Sequence, residues 1–343
     1  MRCQCFIVPP DVLERFSKDK KLSEAERKNF ADMAEFETHW RKVRSLLTPA
    51  NALASKSLSS NVSMAASPAI TVYDCMTGTS LPGSPVPNPG ASTDATAKRA
   101  FVQTTGVTDF YKKVFGRNSV DNLAMTLQSS IHYGSKYNNA FWNGTQMTYG
   151  DGDGNIFVDF TKGNDVIGHE LTHGVTQFSS QFAYSNEAGG LNESISDVFG
   201  SMFRQWSGKQ DVAAADWLIG SNIMGPGAIA RGFTCLRDMA KPDAAHCLAP
   251  QPTQYSQYHT GMDPHYSSGI PNYAFYKAAM KIGGNSWDKA GNIWYQALTA
   301  FRPSPNMKMK AFASRTRTLA KKLYPADPGV FQAIDEAWTE VGL

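Results

Sequence analysis

Apolar residues Phe30, Met33, Phe36 and Trp40 recur at three- to four-residue intervals, the spacing of one helix face, and predict helix over residues 11–47. Ser23 with Glu26 three positions on fits a capping box at a helix start. The pattern then stops. Residues 48–70 (TPANALASKSLSSNVSMAASPAI) are small, polar and poor in charge, which predicts a linker open to proteolytic nicking. From Ile70 to about Tyr149, short runs such as Ile70-Thr71-Val72-Tyr73 alternate with Gly, Pro and Asn clusters and predict strands and turns. A helical stretch over 98–115 interrupts them. Residues 145–160 (TQMTYGDGDGNIFVDF) place two Asp-Gly steps between apolar runs, which predicts a hairpin. After residue 165 the period is mostly helical to the end, with breaks at Pro303 and Pro305 and again from Tyr324 to Pro328.

Composition narrows the class. The 343 residues, 42% of them hydrophobic, suffice for two packed domains and a short extra segment. The 33 basic and 30 acidic residues nearly balance, so charge gives no reason to expect nucleic acid or an acidic membrane as partner. No run of 18 apolar residues occurs, and no membrane span is expected. The start, MRCQCFIVPPDVLERF, has only a very short apolar run before Pro9-Pro10, too short for a Sec signal. Cytoplasmic synthesis is expected, with export by a non-classical route left open. The five cysteines, Cys3, Cys5, Cys75, Cys235 and Cys247, are too few and odd in number for a disulfide framework. Cys235 and Cys247 could pair in an exported protein or stay as free thiols.

Candidate chemistry centres on His169-Glu170-Leu171-Thr172-His173. On a helix, positions i and i+4 share a face, so both imidazoles can reach one ion. Neutral imidazole suits zinc. Glu170 then lies beside the metal rather than on it, where a general base can take a proton from water. A catalytic zinc needs a third protein ligand and an open fourth position. Glu193, twenty residues after His173, is the candidate third ligand. Asp197, one helical turn further, can accept a hydrogen bond from the outer nitrogen of a ligating histidine.

This motif, followed by Asn192-Glu193-Ser194-Ile195-Ser196-Asp197, resembles the thermolysin family of zinc metallopeptidases. Asn138-Asn139-Ala140-Phe141-Trp142-Asn143-Gly144 and Tyr149-Gly150-Asp151-Gly152-Asp153-Gly154 are similar to that family's edge strand and the hairpin after it. The likeness runs from about Ile70 to Leu343. It implies an α+β fold of two domains with the zinc helix between them at the base of a cleft. It implies an endopeptidase with one catalytic Zn2+, acting on peptide or protein substrates on the N-terminal side of large apolar residues. It assigns His169, His173 and Glu193 to the metal and Glu170 to water activation. Tyr184 and His265 match the two groups that steady the oxyanion. Asn139 and Ala140 match the positions that hold substrate as an added strand. Arg237 matches the arginine that grips a substrate carbonyl, and Phe157, Val166 and Leu236 match apolar pocket residues.

Two departures stand out. The family's double calcium site keeps only Asp165 and Asp216 here, with Arg204, Leu218 and Ser221 where acidic ligands are expected. The double Ca2+ site is therefore expected to be lost, with Arg204 pairing Asp165 or Asp216 instead. The aspartate five residues before the active-site histidine is replaced by Thr260, and Asp263 becomes the candidate to orient His265. The start, Cys3 to Pro10, resembles the short propeptide of the protealysin-like branch. The expected layout is a propeptide at 1–47, a linker with a processing site at 48–69, a β-rich catalytic domain at 70–165, and the active-site helix with a helical domain at 166–343. Residues 6–13 are expected in the cleft as an intramolecular inhibitor. A thiolate from Cys3 or Cys5 on the zinc is a chemically open variant of that idea.

Overall fold

A computed structural model of the chain describes residues 5–46 and 67–343, with residues 40–46 as backbone only. Most of the expected linker, and Cys3, lie outside the described residues. The N-terminal segment supplies strand β1 (Cys5–Phe6) and helices α1 (Pro10–Ser17) and α2 (Glu24–Leu46). Then come β2 (Ile70–Asp74), β3 (Ser84–Pro85), α3 (Ala95–Phe115), β4 (Leu127–Ile131), β5 (Ala140–Trp142) and β6 (Met147–Tyr149). The second half holds α4 (Asn164–Gln177), α5 (Asn186–Gly208), β7 (Leu218–Ile219), α6 (Pro226–Ile229) and β8 (Arg237–Asp238). It ends with α7 (Pro264–Ser267), α8 (Gly269–Ile282), α9 (Lys289–Thr299), α10 (Met309–Leu323) and α11 (Pro328–Glu340). The α+β architecture and the breaks around Pro303 and Pro325 match expectation.

One mixed sheet of six strands has the order β1-β5-β6-β4-β2-β3. β4 pairs in parallel with both β2 and β6, and β5 runs antiparallel to β6. The outer strand beside β5 is β1, from the N-terminal segment, with Cys5 opposite Trp142 and Phe6 opposite Phe141. Helix α3 covers the sheet with an inward stripe at Ala97, Ala100, Thr104, Val107 and Tyr111. Asp94 caps its start and Gly116, at φ 68°, its end. Beyond the sheet, α8–α11 pack around Trp294, Phe312 and Trp338, whose indoles stack 5.8 Å apart.

α1 and α2 form a hairpin of their own. Proline at its first position starts α1, and the Ser23–Glu26 capping box starts α2, Ser23 N donating to Glu26 Oε2 at 2.8 Å. Phe16 and Phe30 meet at 5.3 Å between ring centroids, and Leu13, Phe30 and Met33 are buried. Polar ties hold the hairpin to both halves of the body. Asn29 donates to Lys136 O and Asn155 to Glu26, while Arg15 donates to Leu248 O and Asp19 pairs Arg231.

The hairpin expected at 145–160 does not form. β6 ends at Tyr149, and Phe157 bridges Met224 instead of returning along β6. The Asp-Gly steps serve a compact loop. Asp153 Oδ1 accepts the amides of Asn155, Ile156 and Phe157 at 2.9, 2.8 and 3.1 Å. Gly152, at φ 71°, lies so close to the returning chain that a Cβ there would sit 2.4 Å from Phe157 O. A carboxylate that collects three amides closes the loop on itself and leaves none for a ladder.

That loop is tied back through His132. Its Nδ1 lies 2.8 Å from Asp151 and its Nε2 3.0 Å from Asp94. The Asp151 carboxylate, against partial burial and helped by Asp94, raises the imidazole to about 9 from 6.5. A raised folded value stabilises fully below the unfolded value and is lost as pH climbs through the folded one. His132→Gln should therefore cost about 1–2 kcal/mol at pH 6, allowing for screening of half-exposed partners, and little above pH 9.5. Urea unfolding of both proteins in a Glu170→Ala background, which suppresses self-digestion, checks this. An equal cost at both pH values would refute it.

Candidate metal centre

α4 and α5 bring the chemistry together, and they can do so because small residues meet where they cross. A Cβ on Gly200 would sit 2.5 Å from Asp165 O and 3.0 Å from His169 N, and one on Gly168 would sit 3.0 Å from Gly200 Cα. With the backbones this close, side chains from α5 reach the histidines of α4. One turn of α4 presents His169 and His173 on the same face, and α5 presents Glu193 and Asp197 one turn apart.

All four side chains are buried. His169 Nδ1 donates to Asp197 Oδ1 at 2.9 Å, and His173 Nδ1 donates to Asn192 Oδ1 at 2.9 Å, with Ser196 Oγ nearby at 3.1 Å. Both Nδ1 atoms thus carry protons, and both Nε2 lone pairs turn inward, 3.0 Å apart. Glu193 closes the triangle, 3.4 Å from His169 Nε2 and 3.5 Å from His173 Nε2. Its Oε2 is buried without a hydrogen-bond partner. Two lone pairs and an orphaned carboxylate oxygen facing one point ask for a cation. A tetrahedral zinc with bonds of about 2.0–2.1 Å has ligand–ligand edges of about 3.3–3.4 Å, which these separations fit.

Without a metal the two rings compete for one proton. Burial works against charge on both, but Asp197 and Glu193 hold His169 up at about 10, whereas burial takes His173 down to about 3. Burial opposes ionisation of Glu193 as well, yet His265, His173 and His169 hold its carboxyl well below the usual range. Asp197 is kept ionised, at about 2 despite its burial, by Arg237. Arg237 Nε and Nη2 donate to its two oxygens at 2.8 and 2.7 Å, and Asn272 adds a third donor at 2.8 Å. Asp197 therefore locks a histidine, an arginine and α8 into one unit.

Glu170 stands beside the triangle. Its Oε2 accepts the Trp142 amide of β5 at 2.9 Å, and its Oε1 is buried without a hydrogen-bond partner. Burial raises its carboxyl well above the ordinary value. On the other side, Tyr184 donates to Glu193 Oε1 and lies 3.3 Å from His265 Nε2. His265 Nδ1 is held by Asp263 Oδ1 at 2.8 Å, so Asp263 does sit where the orienting carboxylate was expected.

The chain's own N-terminal segment crosses this site. His265 Nε2 donates to Phe6 O at 2.5 Å, and Arg237 Nη1 donates to Ile7 O at 3.0 Å. Asn139 clamps Val8, accepting its amide at 3.0 Å and donating to its carbonyl at 3.1 Å. Ile7 N donates to Ala140 O at 3.2 Å. Three consecutive residues thus engage the groups the sequence marked for substrate. Phe157, Val166 and Leu236 are buried in the same apolar cluster as Ile7. The thiolate variant does not hold for Cys5, which is disulfide-bonded and paired in β1 against Trp142.

Sequence reasoning did not single out Asn272, or give roles to Asn192 and the Trp142 amide. Asn192 sits inside the recognised motif, next to Glu193. Trp142 lies in the recognised edge strand, but its backbone amide carries no signal of its own, and Asn272 arrives from α8 with none.

Comparison with known proteins agrees with this geometry. The family model described as thermolysin metallopeptidase, catalytic domain, matches residues 51–177, and that of the alpha-helical domain matches 180–343. An extracellular metalloprotease of Pectobacterium carotovorum subsp. carotovorum is 40% identical over 284 residues, 80% of each chain. Protease PrtS of Photorhabdus sp. (strain Az29) is 38% identical over 80% of this chain and 76% of its own. Among solved structures, the precursor of protealysin, a metalloproteinase from Serratia proteamaculans, superposes with a TM-score of 0.84 at 35% identity. That match covers 98% of this chain and 99% of the other. The chain belongs to the thermolysin family of metallopeptidases, in its protealysin-like branch.

Proposed function

We propose that the chain is the latent precursor of a zinc endopeptidase that cuts on the N-terminal side of large apolar residues, with residues 1–47 as its propeptide. The observation that carries the peptidase reading is the converging triangle of His169, His173 and Glu193 with the Glu170 carboxyl beside it. Bound zinc supplies a Lewis acid that makes water a nucleophile at neutral pH and draws charge from the peptide carbonyl. Glu170 takes the proton of the attacking water and returns it to the leaving amine. Tyr184 and His265 donate to the oxyanion. Asp263 keeps the His265 ring turned. Asn139, Ala140 and Arg237 hold the substrate backbone as an added strand. Asp197 acts on His169 and Arg237 rather than on substrate. Phe157, Val166 and Leu236 wall the pocket for the side chain after the cut. The test is a quenched fluorescent peptide with Gly-Leu at its centre. Processed, zinc-loaded chain should cut before the leucine, and a chelator should abolish the activity. A Gly-Asp analogue cut equally fast would overturn the pocket assignment.

The extracellular metalloprotease of Pectobacterium carries its location in its name. We take export as the working reading here also. Among the described residues no helix is long and apolar enough to cross a membrane.

The double calcium site is replaced by an arginine. Arg204 Nη2 donates to Asp216 Oδ2 at 2.7 Å, and Nη1 reaches Ser221 Oγ at 2.9 Å and Leu218 O at 3.2 Å. Its charge lies 3.6 Å from the buried Asp165, which also accepts the Gly220 amide at 2.7 Å. A guanidinium in this place supplies the positive charge that calcium would bring and repels the ion itself. Chelation by EGTA should leave the melting temperature unchanged. Arg204→Ala, which leaves Asp165 buried without its counter-charge, should cost about 2–4 kcal/mol in urea unfolding. Two tightly held calcium ions per chain in a metal analysis would reverse this reading.

A further inference from the structure

Cys235 and Cys247 face each other across a short parallel pairing outside the main sheet. Thr234 N donates to His246 O at 3.0 Å and Leu248 N to Cys235 O at 2.9 Å, which fixes the two segments side by side. Both thiols are free and buried, with their sulfurs 3.8 Å apart. A disulfide needs about 2.05 Å. A tetrahedral zinc with Zn–S bonds of about 2.3 Å places its two sulfurs about 3.8 Å apart.

A third ligand is at hand. One donor atom each from Cys235, His246 and Cys247 lies within 4.8 Å of the others. His246 Nε2 is 3.1 Å from Asp238 Oδ2. The other oxygen of Asp238 accepts the amides of Ala240 and Lys241 at 2.8 and 3.0 Å, so the carboxylate is fixed. It accepts a hydrogen bond from Nε2–H, which leaves the ring's lone pair on Nδ1, the arrangement in which a carboxylate orients a metal-binding histidine.

We propose that Cys235, His246 and Cys247 form a second metal site, for a borderline-soft divalent ion of the zinc class. The His246 side chain is 35% exposed, which leaves water for the fourth position. Binding sends the two thiol protons to solvent. The ion ties residues 246–247 to β8, the strand that carries Arg237. It thereby braces the guanidinium that holds Asp197 and the Ile7 carbonyl. The second site shares no ligand with the His169–His173–Glu193 triangle.

The test is zinc content and cobalt substitution of the full chain purified under reducing conditions. Wild type should hold about two zinc ions per chain, and Cys247→Ser and His246→Ala about one each, because each variant opens a three-ligand site. The cobalt form should show a sulfur-to-cobalt charge-transfer band, since the ligands of the first centre are nitrogen and oxygen only. The band should persist in His169→Ala and vanish in Cys247→Ser. If buried Cys247→Ser fails to fold, the partly exposed His246→Ala decides, by its zinc content and the loss of the band. One zinc in wild type without the band, or a Cys235–Cys247 disulfide in chain alkylated at lysis without reductant, overturns the proposal.

Discussion

Glu170→Gln should lower kcat/KM on the Gly-Leu peptide by about 10³-fold while leaving the zinc at the His169–His173–Glu193 triangle in place. The side chain stands beside the triangle and takes no part in it. Its Oε2 is pinned by the Trp142 amide, so the carboxyl is aimed before substrate arrives. Its Oε1 is buried without a hydrogen-bond partner. Glutamine keeps the size and the acceptor for Trp142 but cannot take a proton. The loss should therefore fall on kcat, with KM nearly unchanged. Zinc content and kinetics on the same sample separate the outcomes. A variant that loses its metal would make Glu170 a structural support of the site. A variant that keeps both metal and most of its activity would assign the base to another residue.

The zinc triangle was legible because its geometry is local. Four residues along α4 separate two histidines, and one turn of α5 separates Glu193 from Asp197, so spacing alone places them on common faces. Arg204 was legible for a different reason: a positive side chain where carboxylates are expected changes the charge of a site whatever the backbone does. Asn272 was not legible, since it reaches Asp197 from α8, 75 residues away in sequence. The Asp-Gly loop misled because the same dipeptide serves a two-residue turn and a side-chain-capped loop. The choice fell to Asp153, whose carboxylate gathers three amides. His132 carries no motif at all. It matters only because the fold brings Asp94 and Asp151 to its two nitrogens.

Weakening the grip of the N-terminal segment should switch on the uncut chain. β1 completes the sheet beside β5, and Phe6, Ile7 and Val8 occupy His265, Arg237 and Asn139, the groups proposed to hold substrate. A covalently attached competitor acts at an effective concentration of about millimolar or higher, so the intact chain should be nearly silent. Ile7→Ala with Val8→Ala deletes buried apolar volume worth about 3–5 kcal/mol. It leaves α1, α2 and their ties to Lys136, Asn155 and Arg231 untouched. The open form should gain by 10-fold or more, read as the initial rate on the Gly-Leu peptide while gels show the chain still whole. Adding a synthetic peptide of residues 5–46 to processed enzyme should restore inhibition. Equal rates for intact wild type and the double variant would mean that the segment aids folding without guarding the cleft. The contacts at Phe6–Val8 would then be a resting place that substrate displaces freely.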